Sequence, residues 1–122
     1  MPTILVVEDD PLVLEVVTRL VREGNYETIP ARDGREAWGI LQRGTRPIDL
    51  VLADVVLPHM SGTELAAHVV ARQPELPVIL MSAYAPDDLA RRGLVLSHGH
   101  LLTKPFTSEQ LLGLIQWHMP AE

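Results

Sequence analysis

Short apolar runs alternate with segments of helical spacing from one end of the chain to the other. Thr3-Ile4-Leu5-Val6-Val7 is a nearly continuous, β-branched-rich run, the pattern of a strand buried on both faces of a parallel sheet, and it stops at Glu8-Asp9-Asp10. Asp10 before Pro11 predicts an N-cap with proline at the first helical position. Leu12, Val13, Val16, Val17, Leu20 and Val21 then recur at helical spacing as far as Gly24. Tyr26 to Pro30 reads as a second strand, placed at a sheet edge by its proline. Asp33-Gly34 leads into a helix over Arg35 to Gln42, stopped by Gly44, and Ile48 to Ala53 is the third strand, with Asp54 at its carboxyl end. Ser61-Gly62-Thr63-Glu64 has the form of a capping box and opens a helix that ends before Pro74. Pro77 to Met81 is the fourth strand, ending in Ser82-Ala83. The helix predicted from Pro86 to Arg92 is short, because Gly93 interrupts it. Leu101 and Leu102 form a fifth strand before Lys104-Pro105, and Thr107, with Gln110 at the capping-box position, opens the last helix.

Five strand-helix repeats require right-handed crossovers and a parallel sheet between two layers of helices. The expected fold class is therefore α/β. Of the two common arrangements, a fragment of a larger sheet and a doubly wound, flavodoxin-like sheet in the order 2-1-3-4-5, the second is adopted. It brings ligands to the carboxyl ends of the strands, where the winding reverses between strands one and three.

Composition narrows the chemistry. The chain has 122 residues, the size of one domain, and residues 1–122 are expected to form a single unit with its core at about 3–118. Apolar residues make up 47% and charged residues 21%, a globular balance. A net charge of −6 disfavours nucleic acid or an anionic membrane surface as partner. With no cysteine, disulfides, thiolate metal sites and a cysteine nucleophile are excluded, which suits the cytoplasmic location expected here. No apolar run approaches a membrane span. Zinc, dinucleotide, phosphate-loop and serine-hydrolase signatures are also missing.

The strand ends carry what remains. Glu8 and Asp9, Asp54, Ser82 and Lys104 follow strands one, three, four and five, and the inferred topology gathers them on one edge. Three acids that close repel one another and suit a hard divalent cation held through oxygen, with Mg2+ the default. A carboxylate beside a cation, a hydroxyl and an ammonium is a phosphoryl acceptor, since charge on the transferring group is met from three sides. Asp10 is read as a helix cap. His98 and His100 are read as polar loop, and the run Gly93-Leu94-Val95-Leu96 is left open between core and partner surface.

Leu5-Val-Val-Glu-Asp-Asp-Pro11, Asp54-Val-Val-Leu-Pro-His-Met-Ser-Gly62, Met81-Ser-Ala83 and Lys104-Pro-Phe106 resemble, in order and spacing, the receiver domain of two-component response regulators. The likeness spans roughly residues 3 to 118. It implies that Asp54 accepts a phosphoryl group from a phosphohistidine on a histidine kinase or histidine phosphotransfer protein, in a Mg2+-dependent reaction. It further implies that Asp9 ligates the ion directly, Glu8 through water, and the Val56 backbone carbonyl completes the protein ligands. Ser82 would bond a phosphoryl oxygen and Lys104 would pair with it, with the Lys104-Pro105 bond cis. Such a domain is a switch more than an enzyme, limited to its own phosphorylation and dephosphorylation.

Two departures stand out. Leu101 occupies the position where much of the family carries a rotating aromatic ring, and Ser82 replaces the commoner threonine. Together with the irregular fourth helix, the segments Met81 to Tyr84 and Thr103 to Thr107 resemble receivers of hybrid sensor kinases. Only five residues follow Trp117, so no effector domain is expected within this chain. The rival reading is a receiver-like interaction module independent of phosphorylation. An aspartyl phosphohydrolase is disfavoured because Val56 stands where its second acid is expected.

Overall fold

The structure, a computed structural model, describes residues 1–94 and 99–119. In chain order the elements are β1 (Thr3–Val7), α1 (Pro11–Glu23), β2 (Glu27–Ala31), α2 (Gly34–Arg43), β3 (Leu50–Asp54), α3 (Gly62–Arg72), β4 (Val78–Ser82), α4 (Pro86–Arg91), β5 (His100–Thr103) and α5 (Ser108–His118). The strands form one parallel sheet in the order β2-β1-β3-β4-β5.

Alternation along the buried strands divides the interior in two. Leu5, Val7, Val51, Ala53 and Leu80 face α2, α3 and α4, where they meet Ala37, Leu65, Ala66, Val69 and Leu89. Ile4, Val6, Leu50, Leu52, Ile79 and Met81 face α1 and α5, where they meet Val17, Val21, Leu111 and Ile115. Both faces of the sheet are thus covered, which is why its strands are apolar at consecutive positions. Leu101 joins the first core and Leu102 the second.

The helix starts follow their caps. Asp10 Oδ1 accepts from the amides of Leu12 and Val13, at 2.9 and 3.4 Å. Thr107 and Gln110 close a full capping box. At α3 the box is only half formed. The Glu64 amide donates to Ser61 Oγ at 3.2 Å, but the Glu64 carboxylate accepts from the Ser61 hydroxyl rather than from the Ser61 amide. Helix α4 has no side-chain cap and six residues, with Gly93 at φ +77° beyond it, so it is as short as the interruption predicts.

Strand boundaries shift by one or two residues. β2 starts at Glu27 because Asn25, at φ +69°, still turns the chain and Tyr26 packs against the α1/α5 core. β3 starts at Leu50, since the Asp49 carboxylate takes the Thr3 amide at 2.7 Å. Leu94 packs against the α2/α3/α4 core, while Val95, Leu96 and His98 lie outside the described residues.

Candidate functional site

The ladder register builds the site. Val7 pairs with Ala53 and Asp54 with Met81, so the residues just beyond β1 lie beside the last residue of β3. On the far side Ser82 pairs with Thr103, which brings Lys104 to the same edge. The Glu8 amide continues the pairing with β2 by donating to the Ala31 carbonyl at 3.0 Å, and this turns the Glu8 side chain inward, where the residue is only 2% exposed.

Lys104 Nζ donates to Asp54 Oδ2 at 2.8 Å and to Glu8 Oε2 at 3.2 Å. Glu8 Oε1 also accepts from the Asp10 amide, and Asp54 Oδ1 accepts from the Val56 amide at 3.1 Å, which fixes the plane of the Asp54 carboxylate. Oxygens of Glu8, Asp9 and Asp54 lie within 4.8 Å of one another. The donor set is all oxygen and becomes trianionic on full ionisation, against one ammonium; it fits a hard divalent cation that retains waters.

The electrostatics show what assembly costs. Burial, then the hydrogen bond and charge of Asp54, push the Glu8 carboxyl up to about 7, against the opposing pull of Lys104. Burial works against the Lys104 ammonium, but Asp54 and Glu8 outweigh it and hold its pKa above the ordinary lysine value.

The structure thus brings Glu8, Asp9, Asp54 and Lys104 together. Ser82 is placed at the same strand edge and is 1% exposed, but its hydroxyl is turned into the β4–α4 turn. There it accepts from the Tyr84 amide at 2.9 Å and donates to the Tyr84 carbonyl at 3.0 Å. For Val56 the visible contact is the amide on Asp54, and the residue is 41% exposed. The Lys104–Pro105 bond is cis.

Two supports were missed by reading the sequence. Gly62 lies so close beneath the strand end that a Cβ there would fall 2.2 Å from the Asp54 carbonyl oxygen, and Gly34 is crowded in the same way by the Met60 carbonyl. The half-formed box around Ser61 marks α3 but carries no sign of this approach. The histidine reading also changes, because the His100 ring packs against that of His118 in a tilted arrangement, with centroids 4.2 Å apart and planes inclined at 53°. Burial, then His100, holds the His118 imidazole below its ordinary pKa.

Beside Lys104 an apolar groove of about 380 Å³ runs between Val13, Val16 and Leu20 of α1 and Ala83, Pro105 and Phe106. A larger groove, about 740 Å³, lies between α1 and β2 and holds none of the strand-end residues.

The profile of the response regulator receiver domain matches residues 4–116. The response regulator GtcR of Aneurinibacillus migulanus is 31% identical over 114 residues, which cover 93% of this chain and 46% of that protein. The two-component response regulator-like protein PRR73 of Oryza sativa subsp. indica is 37% identical over 117 residues, covering 93% and 15%. The chain therefore spans less than half the length of these relatives. Among solved structures, the response regulator TrrA of Thermotoga maritima, in complex with Mg2+-BeF, superposes with a TM-score of 0.86 at 27% identity, covering 98% of this chain and 100% of that one. Chemotaxis response regulator CheY4 of Vibrio cholerae gives 0.81 at 26%, covering 98% and 99%. The profile match runs from the second residue of β1 to within two residues of the end of α5, so it is the entire fold that makes this chain a member of the response regulator receiver family of two-component signalling.

Proposed function

We propose that Asp54 is the phosphoacceptor of this receiver and that the phosphoryl group comes from a phosphohistidine on a histidine kinase or a histidine phosphotransfer protein. The observation that carries the reading is the 2.8 Å contact of Lys104 Nζ with Asp54 inside an acidic cluster at the strand ends. An Asp54 carboxylate oxygen forms the new O–P bond as the P–N bond to the donor imidazole breaks, and the imidazole nitrogen keeps the electron pair of that bond. The Val56 amide holds the carboxylate in place, and Lys104 meets charge on the transferred group. Ser82 donates to a phosphoryl oxygen only after leaving Tyr84.

Glu8, Asp9 and Asp54, with the Val56 carbonyl, are the residues proposed to hold Mg2+. The ion would neutralise the carboxylates and the phosphoryl oxygens when bound. Glu8, already on Lys104 and the Asp10 amide, suits a role through water, and exposed Asp9 suits direct ligation.

Residues 3–118 act in this reading as one receiver unit whose only chemistry is its own phosphorylation and dephosphorylation. In this reading the receiver meets its phosphohistidine donor in the cytoplasm. The apolar groove beside Lys104, lined in part by the exposed Val16 of α1, suits a helix that presents the donor histidine to Asp54. Incubation with acetyl phosphate and Mg2+ tests the reading: the wild type is retarded on a phosphate-affinity gel and Asp54→Asn is not. Equal retardation of both proteins contradicts it.

A further inference from the structure

The resting orientation of Ser82 has a visible cause. Both backbone polar groups of Tyr84 are bonded to the one hydroxyl, its amide as donor and its carbonyl as acceptor. The Tyr84 ring is held in turn. The Arg92 guanidinium carbon lies 4.0 Å from its centroid, a cation–π contact. Arg92 is itself fixed as the C-cap of α4, its amide bonded to the Asp88 and Leu89 carbonyls, and Leu89 is fully buried in the core. The neighbouring Arg91 pairs with Asp88 at 2.6 Å, which leaves the ring contact to Arg92.

We propose that Arg92 is a positioning residue for Ser82: it latches the Tyr84 ring to α4, and Tyr84 then keeps the Ser82 hydroxyl turned away from Asp54. The inference rests on the phosphoacceptor reading above. A serine hydroxyl has one proton, and a phosphoryl oxygen on Asp54 that takes it removes it from the Tyr84 carbonyl. The Tyr84 carbonyl must then find another donor, the backbone around residues 83–85 turns, and the ring leaves Arg92. The latch therefore weights the equilibrium between the two hydroxyl orientations, and phosphorylation loosens the latch by the same factor. Leu101 is packed against the core on the α4 side, so position 101 offers no ring for this task, whereas the backbone of the aromatic Tyr84 is bonded directly to the Ser82 hydroxyl.

The test compares initial rates of phosphoryl uptake from acetyl phosphate at fixed Mg2+ in wild type, Arg92→Ala, Arg92→Lys, Ser82→Ala, the Ser82→Ala/Arg92→Ala double variant and Asp54→Asn. Loss of an exposed cation–π contact should accelerate Arg92→Ala by about two- to fivefold. Arg92→Lys keeps the cation and should stay near the wild-type rate. The acceleration should vanish in the Ser82→Ala background, which a general loosening of α4 would not produce. Uptake by wild type and not by Asp54→Asn, with Arg92→Ala no faster than wild type or equally accelerated without the Ser82 hydroxyl, overturns the latch alone. No uptake by wild type, or uptake by Asp54→Asn, overturns the phosphoacceptor reading and the latch with it.

Discussion

The carbonyl oxygen of Asp54 occupies the space that a side chain at position 62 would need: a Cβ on Gly62 would lie 2.2 Å from it. The approach is secured by the Gly62 amide, which donates to the Val55 carbonyl at 2.8 Å, so the first residue of α3 is tied directly under the end of β3. Gly62→Ala must push the Asp54–Val55 backbone aside. We expect it to destabilise the fold by about 1–3 kcal/mol, the range of an overpacked site, and to slow phosphoryl uptake by displacing Asp54. Denaturant melts and gel-shift rates check both effects, and an unchanged midpoint would show that the loop yields freely.

The Glu8 carboxyl predicts an inverted pH dependence in the metal-free protein. Its folded-state pKa, raised to about 7 from an ordinary 4.5, means the folded state binds more protons than the unfolded state between those values. Stability from this group is therefore fully present below pH 4.5 and is lost as the pH rises through 7, by on the order of 3 kcal/mol. Mg2+ should reverse the trend, since the ion takes the ionised carboxylate and relieves repulsion present only in the folded state. Glu8→Gln should flatten the slope, and Asp9→Ala should remove the upward thermal shift at millimolar Mg2+. Melts from pH 5 to 8, with and without Mg2+, measure all three.

His59, in the loop between β3 and α3, sits at φ +69°, in the left-handed region that side chains enter at a cost. It is exposed, so replacing it removes no packing. His59→Gly is expected to stabilise the protein by about 1 kcal/mol, reduced somewhat by the greater freedom of glycine in the unfolded chain. A β-branched residue there should destabilise instead, and comparison of His59→Gly with His59→Val in denaturant melts reads the difference.

Much of this architecture was legible in the chain because its signals are local. Asp10 before Pro11 and Thr107 before Gln110 are complete caps within a few residues, and the apolar run at Thr3–Val7 needs no partner to be recognised. The acids and the lysine were legible because strand order alone carries strand ends to a common edge. What stayed hidden depends on contacts between distant segments or on a rotamer. Nothing near Ser82 says that its hydroxyl closes on Tyr84 rather than facing Asp54, and Gly62 declares itself only once α3 is packed beneath β3. β5 was read too short because His100 and Thr103, which complete it, are exposed and carry no apolar signal.

The central claim is that the phosphoryl group resides on Asp54, and the most direct measurement is to find it there. Borohydride reduction converts an aspartyl phosphate to homoserine, which peptide mass mapping locates. After treatment with acetyl phosphate and Mg2+, homoserine is expected at position 54 and at no other carboxylate. Homoserine at position 9, or a label that resists borohydride and maps to a histidine such as His59, would contradict the assignment of Asp54 as the acceptor.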